Sequence, residues 1–313
     1  MTADGSASSF CEPGEELDLR IVMGMTRVTQ PPPLPPRPAD GHKGMFGRVL
    51  VVGGNDGMLG APVMASTAAL RCGAGLVQIA VPRSILLAAL SITPELIGLG
   101  LGKAAGKDQL LEAARKADAV VLGPGLGRTP EAEARVTRLV RLEKPMVVDA
   151  DALNILAAGN RWPSYFKARA VLTPHPGEMA RLGKLFGRTE VPTDEPGRID
   201  IAAEAARTFG QTVVLKGKNS VITDGVRVYV NPTGDSSLSK AGTGDVLSGV
   251  VGTLLAQEMS PFDAACAAAW LHGRAGELAG QRLGMRCVLA KDVINALPEA
   301  IGEYEKDNES GTR

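Results

Sequence analysis

The segment Ala241-Gly242-Thr243-Gly244-Asp245, running into Val246-Leu247-Ser248-Gly249, has the residue types and spacing that phosphate chemistry needs. Two glycines let the backbone turn sharply and come close to a ligand. A helix starting here presents unsatisfied N–H groups and the positive end of its dipole, which together make an anion hole. Asp245 has two readings. It caps the helix start, or it takes a proton from a hydroxyl attacking the held phosphoryl group. Local sequence leaves both open. The loop is not a Walker A motif, because no G-x-x-x-x-G-K-[ST] occurs. A second glycine run, Gly98-Leu99-Gly100-Leu101-Gly102-Lys103, alternates glycine with leucine. No strand and helix are expected to flank it, so it is read as a decoy for a dinucleotide fingerprint.

The elements that must position this loop are legible as apolar runs. Residues 49–52, 76–81, 119–122, 146–148, 170–172 and 212–215 are continuous rather than alternating, as in strands buried on both faces of a parallel sheet. Ala/Leu-rich helical stretches such as 61–71 and 108–116 lie between them. The β-α-β-α order predicts a doubly wound sheet with right-handed crossovers. Residues 221–230 read as a β-hairpin with an Asp224-Gly225 turn, giving an antiparallel edge. Two alanine- and glycine-rich helices are expected over about 245–257 and 262–280. Ligands of such a sheet bind beyond the carboxyl ends of its strands. That rule gathers Gly53–Gly60, Gly123–Gly127, Asp149–Asn154, Thr173–Glu178 and Lys216–Ser220 onto one rim. Asp149 and Asn154 serve there either as helpers in the site or as strand-end and cap residues.

Composition narrows the function classes. The 313 residues carry 34 basic and 34 acidic side chains, so no net field recruits nucleic acid or an anionic membrane. Aromatics at 4% offer no stacking platform for bases. No apolar run approaches the ~18 residues a bilayer span needs. Cys11, Cys72, Cys266 and Cys287 form no C-x-x-C pair, and a reduced cytoplasm is expected. His42, His175 and His272 make no H-E-x-x-H pattern, and His272 is read as helix packing. Residues 1–40, with Pro31-Pro32-Pro33 and Pro35-Pro36, are expected to be a disordered tail. A single domain is expected over 41–304, with a short polar tail over 305–313.

Taken in order, several segments carry a family resemblance. They are Lys43-Gly44, Gly53-Gly54-Asn55-Asp56-Gly57, Gly123-Pro124-Gly125-Leu126-Gly127, Asp149-Ala150-Asp151-Ala152-Leu153, Thr173-Pro174-His175-Pro176-Gly177-Glu178, Leu215-Lys216-Gly217 and Gly242-Thr243-Gly244-Asp245. Over about residues 41–300 the chain resembles the ADP/ATP-dependent NAD(P)H-hydrate dehydratases of the ribokinase-like superfamily. G-T-G-D indicates only the superfamily; T-P-H-P-G-E with G-P-G-L-G is the specific part.

The resemblance implies a three-layer ribokinase-like fold and repair of NADHX and NADPHX, in which ADP or ATP phosphorylates the ring hydroxyl before phosphate leaves. It implies Asp245 as the base, Gly242, Thr243 and Gly244 as the phosphoryl cradle, and Lys216-Gly217-Lys218-Asn219-Ser220 as the nucleotide-binding segment. Ala61, Gly125, His175 and Asp245 would contact the hydrated dinucleotide, and Glu178 would organise Mg²⁺ through water. It further implies a homo-oligomer, a tetramer in relatives, and epimerisation supplied by a separate protein. Ala241 and Pro62 depart from the usual pattern, which has glycine and a small residue there. A small-molecule kinase for a thiazole or pyrimidine alcohol, and a nucleotide-binding regulator without turnover, are the competing readings.

Overall fold

The computed structural model describes residues 21–22, 24–102, 106–159 and 162–310. Eleven strands form one sheet. In chain order they are β1 (Ile21–Val22), β2 (Met25–Val28), β3 (Arg48–Val52), β4 (Leu76–Pro82), β5 (Ile97–Leu101), β6 (Ala119–Leu122), β7 (Pro145–Val148), β8 (Arg169–Leu172), β9 (Thr212–Leu215), β10 (Val221–Thr223) and β11 (Arg227–Val230). The order across the sheet is β1-β2-β11-β10-β9-β8-β7-β6-β3-β4-β5. Pairing from β9 through β5 is parallel; β10 is antiparallel to both β9 and β11.

Ten α-helices cover the two faces: α1 (Gly60–Arg71), α2 (Arg83–Ile92), α3 (Gly106–Lys116), α4 (Pro130–Leu139), α5 (Ala150–Ala158), α6 (Pro176–Gly183), α7 (Glu195–Phe209), α8 (Thr243–Ala256), α9 (Pro261–Leu283) and α10 (Ala290–Ser310). The core divides accordingly. Val49, Val51, Val121, Val147 and Val171 pack with buried residues of α1, α8, α9 and α10, while Leu50, Val52, Val120, Leu122 and Val148 pack with those of α4, α5 and α7. Successive strand residues therefore serve opposite hydrophobic layers, which is why the strands read as unbroken apolar runs. The small residues of α8 have a steric cause: a Cβ on Gly249 would lie 2.1 Å from the Ala65 carbonyl oxygen.

The connection sequence explains where a ligand can sit. The chain runs outward from β3 through β4 to β5, then returns to place β6 on the other side of β3. The reversal leaves a crevice between the carboxyl ends of β3 and β6, the place where open α/β sheets bind ligands. It lies between Gly53-Gly54 and Gly123-Pro124-Gly125, where the Gly54 amide donates to the Pro124 carbonyl at 2.9 Å and the Asn55 side-chain amide donates to the Gly125 carbonyl at 2.9 Å.

Four expectations change. The hairpin of β10 and β11 is not the sheet edge, because β2 pairs in parallel with β11 beyond it. Residues 1–20 lie outside the described residues, but 25–28 are a strand rather than part of a structureless tail. Met25 is buried, Leu34 packs on the core, and the Tyr304 hydroxyl donates to the Pro32 carbonyl at 2.5 Å. The prolines lack the N–H that would extend the ladder, so strand pairing gives way to an extended segment. At the other end α10 continues through 305–310, and residues 311–313 lie outside the described ones. Finally, Gly98-Leu99-Gly100-Leu101 is most of the edge strand β5, followed by α3. Its glycines admit α2: a Cβ on Gly98 would lie 2.9 Å from Leu86 Cδ1, and one on Gly100 2.7 Å from Arg83 Cγ. Lys103 lies outside the described residues. Among the described residues no helix is long and apolar enough to cross a membrane.

Candidate active site

Helix α8 starts at the sequence-singled loop. Gly242 adopts φ +93°, and a Cβ there would lie 2.5 Å from Met64 Cε, so the turn is both left-handed and sterically closed to side chains. The Thr243 amide bonds to the Lys240 carbonyl and the Val246 amide to the Gly242 carbonyl. Between them, the amides of Gly244 and Asp245 donate to no protein group among the described residues. Two adjacent free N–H groups at the start of a helix of 14 residues are the kind of donors that an anion hole needs. The Thr243 hydroxyl is spent elsewhere, 2.8 Å and 2.9 Å from the carbonyls of Leu238 and Lys240. Its side chain therefore braces the loop, and with its amide bonded to Lys240 the residue has no free N–H to offer a phosphate.

Asp245 is half-buried among like charges. Burial, followed by the carboxylate of Asp149, pushes its pKa up to about 7 despite the opposing pull of Lys216. Glu178 and Asp151 add to the repulsion. A carboxyl group titrating near neutrality is matched to accepting a proton from an alcohol. The N-cap position belongs to Gly242 and Asp245 is the third residue of the helix, so Asp245 is not its N-cap.

The other strand ends converge here. Lys216, at the end of β9, reaches Asp149 at the end of β7 with 2.8 Å between Nζ and Oδ1, and lies 3.9 Å from Glu178 Oε2. Asp149 is 1% exposed. Burial opposes its charge, but Lys216 and the hydrogen bonds from Lys216, Ser248 and Thr173 outweigh that and hold it below the usual carboxylate range. Glu178 has no such cation to itself. Burial first, opposed by Lys216 and reinforced by Asp149, raises it to about 7.

His175 caps α6. Its Nδ1 accepts from the Gly177 and Glu178 amides at 3.0 Å and 3.3 Å, while Glu178 Oε2 accepts the His175 amide at 2.9 Å. This reciprocal capping box fixes the tautomer: Nδ1 is an acceptor, so the proton sits on Nε2. Burial, then Lys216 and Arg181, disfavour the imidazolium. The ring is therefore a neutral donor at its exposed edge, suited to orienting a ligand rather than moving a proton.

A cleft of about 780 Å³ opens beside these groups. One side carries His175, Lys216, Gly217, Lys218 and Ser220; the other carries Thr233–Ser236, Leu238–Lys240 and the start of α8. Asn219 does not line it; with φ +51° it supplies the left-handed turn between β9 and β10. Ala61 and Gly125 meet each other at the crevice between β3 and β6: a Cβ on Gly125 would lie 3.2 Å from Ala61 Cβ. Asp151, whose Oδ2 accepts the Gly127 amide at 2.8 Å, belongs to that side and still acts on Asp245. Asp245 thus follows directly on the cleft-lining Gly244 and feels the charge of Asp151 at the crevice.

Sequence reasoning missed Ser248, whose hydroxyl donates to Asp149 Oδ2 at 2.7 Å. Its signal was the i,i+3 spacing from Asp245, which places both on one helix face. The wall built by Asn231–Ser239 carried no motif. His272 is buried as expected, its pKa lowered to about 4 by burial.

Asp149, Glu178 and Asp245 oppose the single ammonium of Lys216. That surplus of negative charge favours a divalent cation. Among the described residues no three His, Cys, Asp or Glu side chains are grouped to cage one. The arrangement fits Mg²⁺, which keeps most of its waters and is shared with phosphates through one or two carboxylates.

An open parallel sheet with a glycine-turned helix start, an acidic residue at that start and a phosphate-sized cleft beyond the strand ends defines the ribokinase-like class. Within that class, residues 49–299 match the NAD(P)H-hydrate dehydratase family, and the chain belongs to it. It is 43% identical over 287 residues to the bifunctional NAD(P)H-hydrate repair enzyme of Moorella thermoacetica, covering 88% of this chain and 53% of that one. It is 38% identical over 284 residues to the ADP-dependent (S)-NAD(P)H-hydrate dehydratase of Neisseria meningitidis, covering 88% and 92%. The crystal structure of the ADP/ATP-dependent NAD(P)H-hydrate dehydratase of Bacillus subtilis, co-crystallised with ATP and Mg²⁺, superimposes with a TM-score of 0.74 at 30% identity, covering 87% of this chain and 95% of that one. The chain spans about half the length of the bifunctional relatives that it matches.

Proposed function

We propose that the chain is an ADP- or ATP-dependent dehydratase of hydrated NADH and NADPH, acting on the S epimer. The observation that carries this reading is Asp245, a carboxyl group of near-neutral pKa one residue beyond the cleft-lining Gly244 and within the field of Asp151, which belongs to the crevice at the strand-order reversal. A hydroxyl is a poor leaving group, and phosphorylation converts it into a good one. In the first step Asp245 takes the proton of the ring hydroxyl. The hydroxyl oxygen bonds to the terminal phosphorus of the nucleotide as the bond to the bridging oxygen breaks. The free amides of Gly244 and Asp245 hold the transferring group, which is mostly positioning and electrostatics. Phosphate then leaves with the C–O bonding electrons while the adjacent ring carbon gives up a proton, and the electrons of that C–H bond form the ring double bond of the dihydronicotinamide.

Lys216, Gly217, Lys218, Asn219 and Ser220 hold the nucleotide, with Lys216 turned inward, Asn219 shaping the turn and Lys218 exposed. Ala61, Gly125 and His175 orient the hydrated dinucleotide. Glu178 would hold Mg²⁺ through water, and the ion would supply charge neutralisation between the phosphates. The dehydratase works together with an NAD(P)HX epimerase activity. The protein works in a reducing cytoplasm as a homo-oligomer, to which exposed Leu87, Ile92 and Ile97 along α2 and β5 contribute.

The test mixes purified protein, Mg²⁺, ADP or ATP and hydrated NADH. Recovery of NADH absorbance supports the reading, and folded protein that gives none with either nucleotide removes it. A phosphorylated thiazole or pyrimidine alcohol formed instead assigns the competing kinase activity.

A further inference from the structure

Asp149 occupies the N-cap position of α5, where a carboxylate ordinarily accepts the free amides of the first turn. It makes no such bond. The next residue, Ala150, takes φ +52°, a left-handed conformation unfavourable for a residue with a Cβ and typical of sites where function over-determines the backbone. Both carboxylate oxygens are committed instead: Oδ1 to the Lys216 ammonium at 2.8 Å and Oδ2 to the Ser248 hydroxyl at 2.7 Å. Ser248 is fully buried. It sits on α8 one turn beyond Asp245, so α8 carries both the anion hole and one end of this chain of contacts. At the other end, Lys216 Nζ lies 3.5 Å from where a Cβ on Gly244 would stand, beside the two free amides.

A lysine on four rotatable bonds facing three carboxylates has several places to go. Drawn onto Asp245, it would weaken the base; drawn onto Glu178, it would leave the cradle. A buried ion pair with good geometry and both oxygens satisfied removes that freedom. We propose that Asp149 and Ser248 are a positioning pair that fixes the Lys216 ammonium beside the Gly244 and Asp245 amides, where it receives the terminal phosphoryl group of a nucleoside diphosphate or triphosphate. The proposal rests on the nucleotide reading of the cleft and adds to it which phosphate Lys216 serves and what aims it.

The experiment titrates the full chain with AMP, ADP and ATP in Mg²⁺ by calorimetry, with circular dichroism to confirm folding. AMP lacks the terminal group and so does not report on Lys216. Wild type should bind ADP and ATP more tightly than AMP. Asp149→Asn keeps shape and removes charge. It should weaken ATP at least ~10-fold and leave AMP within about twofold, since a charge-assisted contact is the interaction lost. Ser248→Ala, a milder change, should do the same at about threefold. Lys216→Met should match Asp149→Asn, and the double variant should be no worse than Lys216→Met, because Asp149 acts through Lys216.

An unchanged ATP-to-AMP ratio in folded Asp149→Asn and Ser248→Ala overturns the proposal. So do equal losses for AMP and ATP, which indicate a merely structural pair, or additive losses in the double variant. If Asp149→Asn does not fold, Ser248→Ala and Lys216→Met decide by the same ratio. Wild type that binds no adenine nucleotide overturns the nucleotide reading together with the proposal, whereas normal wild-type binding with unchanged variants overturns the proposal alone.

Discussion

Replacing Asp245 with Asn should give a protein that is more stable and nearly inactive, with a pH dependence that identifies the cause. In the folded chain burial and neighbouring carboxylates raise Asp245 from 3.8 to about 7. Below 3.8 the group is protonated in both folded and unfolded states and contributes nothing. Between 3.8 and 7 the folded state binds more protons than the unfolded one, so this group's contribution falls as pH rises, and above 7 the full penalty is present. At about 1.4 kcal/mol per pH unit, the three-unit difference sets a ceiling of about 4 kcal/mol. Partial exposure screens the charge, and Asn gives up a favourable helix-dipole interaction of about 0.3–1 kcal/mol. The expected net gain is about 1–2 kcal/mol at pH 8, or about 2–6 °C in Tm for a domain of this size. Thermal unfolding of both proteins from pH 4.5 to 8.5 measures it: the gap should open across the acid range and level off above neutrality. Turnover should fall by about 10²–10⁴, the span of general-base catalysis, with ATP affinity retained. A variant less stable than wild type at pH 8, or a gap independent of pH, would refute the electrostatic account. Normal turnover would remove Asp245 from the role of base.

Three further outcomes follow from the packing. Gly242→Ala places a methyl group 2.5 Å from Met64 Cε at φ +93°; equilibrium unfolding should show a loss of about 1–3 kcal/mol, accompanied by weakened nucleotide binding in calorimetry. Gly249→Ala forces α8 away from the Ala65 carbonyl and should cost about 1–3 kcal/mol in urea unfolding, the usual range for overpacking. Removing residues 1–38 takes away β2, buried Met25 and the Pro32 contact to Tyr304. Loss of Met25 burial alone is worth about 1.5–3 kcal/mol, so the urea midpoint should fall; an unchanged midpoint would show that the sheet is complete without β2.

The residues that perform local tasks were readable one segment at a time. The strands from β3 to β9, β5 excepted, are unbroken apolar runs because helices cover both faces, and the hairpin follows from the Asp224-Gly225 turn. The helix start after Gly242 is equally local, since glycine at a left-handed turn and two free amides depend only on neighbouring backbone. Strands β2 and β5 were not legible. The first is four residues long and exists by pairing with Arg227–Tyr229, some 200 positions away; the second alternates glycine with leucine because α2 presses on it.

By itself, then, the sequence determined the layered sheet, the rim on which its polar turns meet, and the glycine-turned helix start with the free amides of Gly244 and Asp245. Tertiary structure decided the electrostatics of that rim. Asp149 is an ordinary cap candidate in sequence; only folding brings it Lys216 from 67 positions away and Ser248 from 99. Asp245 is an ordinary aspartate until burial and three carboxylates from two other segments raise it to about 7. Thr243 looked like a phosphate ligand and became a brace because the Leu238–Lys240 turn folds over its hydroxyl. The physical reason is range: backbone conformation is set by neighbours along the chain, whereas charge and desolvation act through space and exist only once distant strand ends share one pocket.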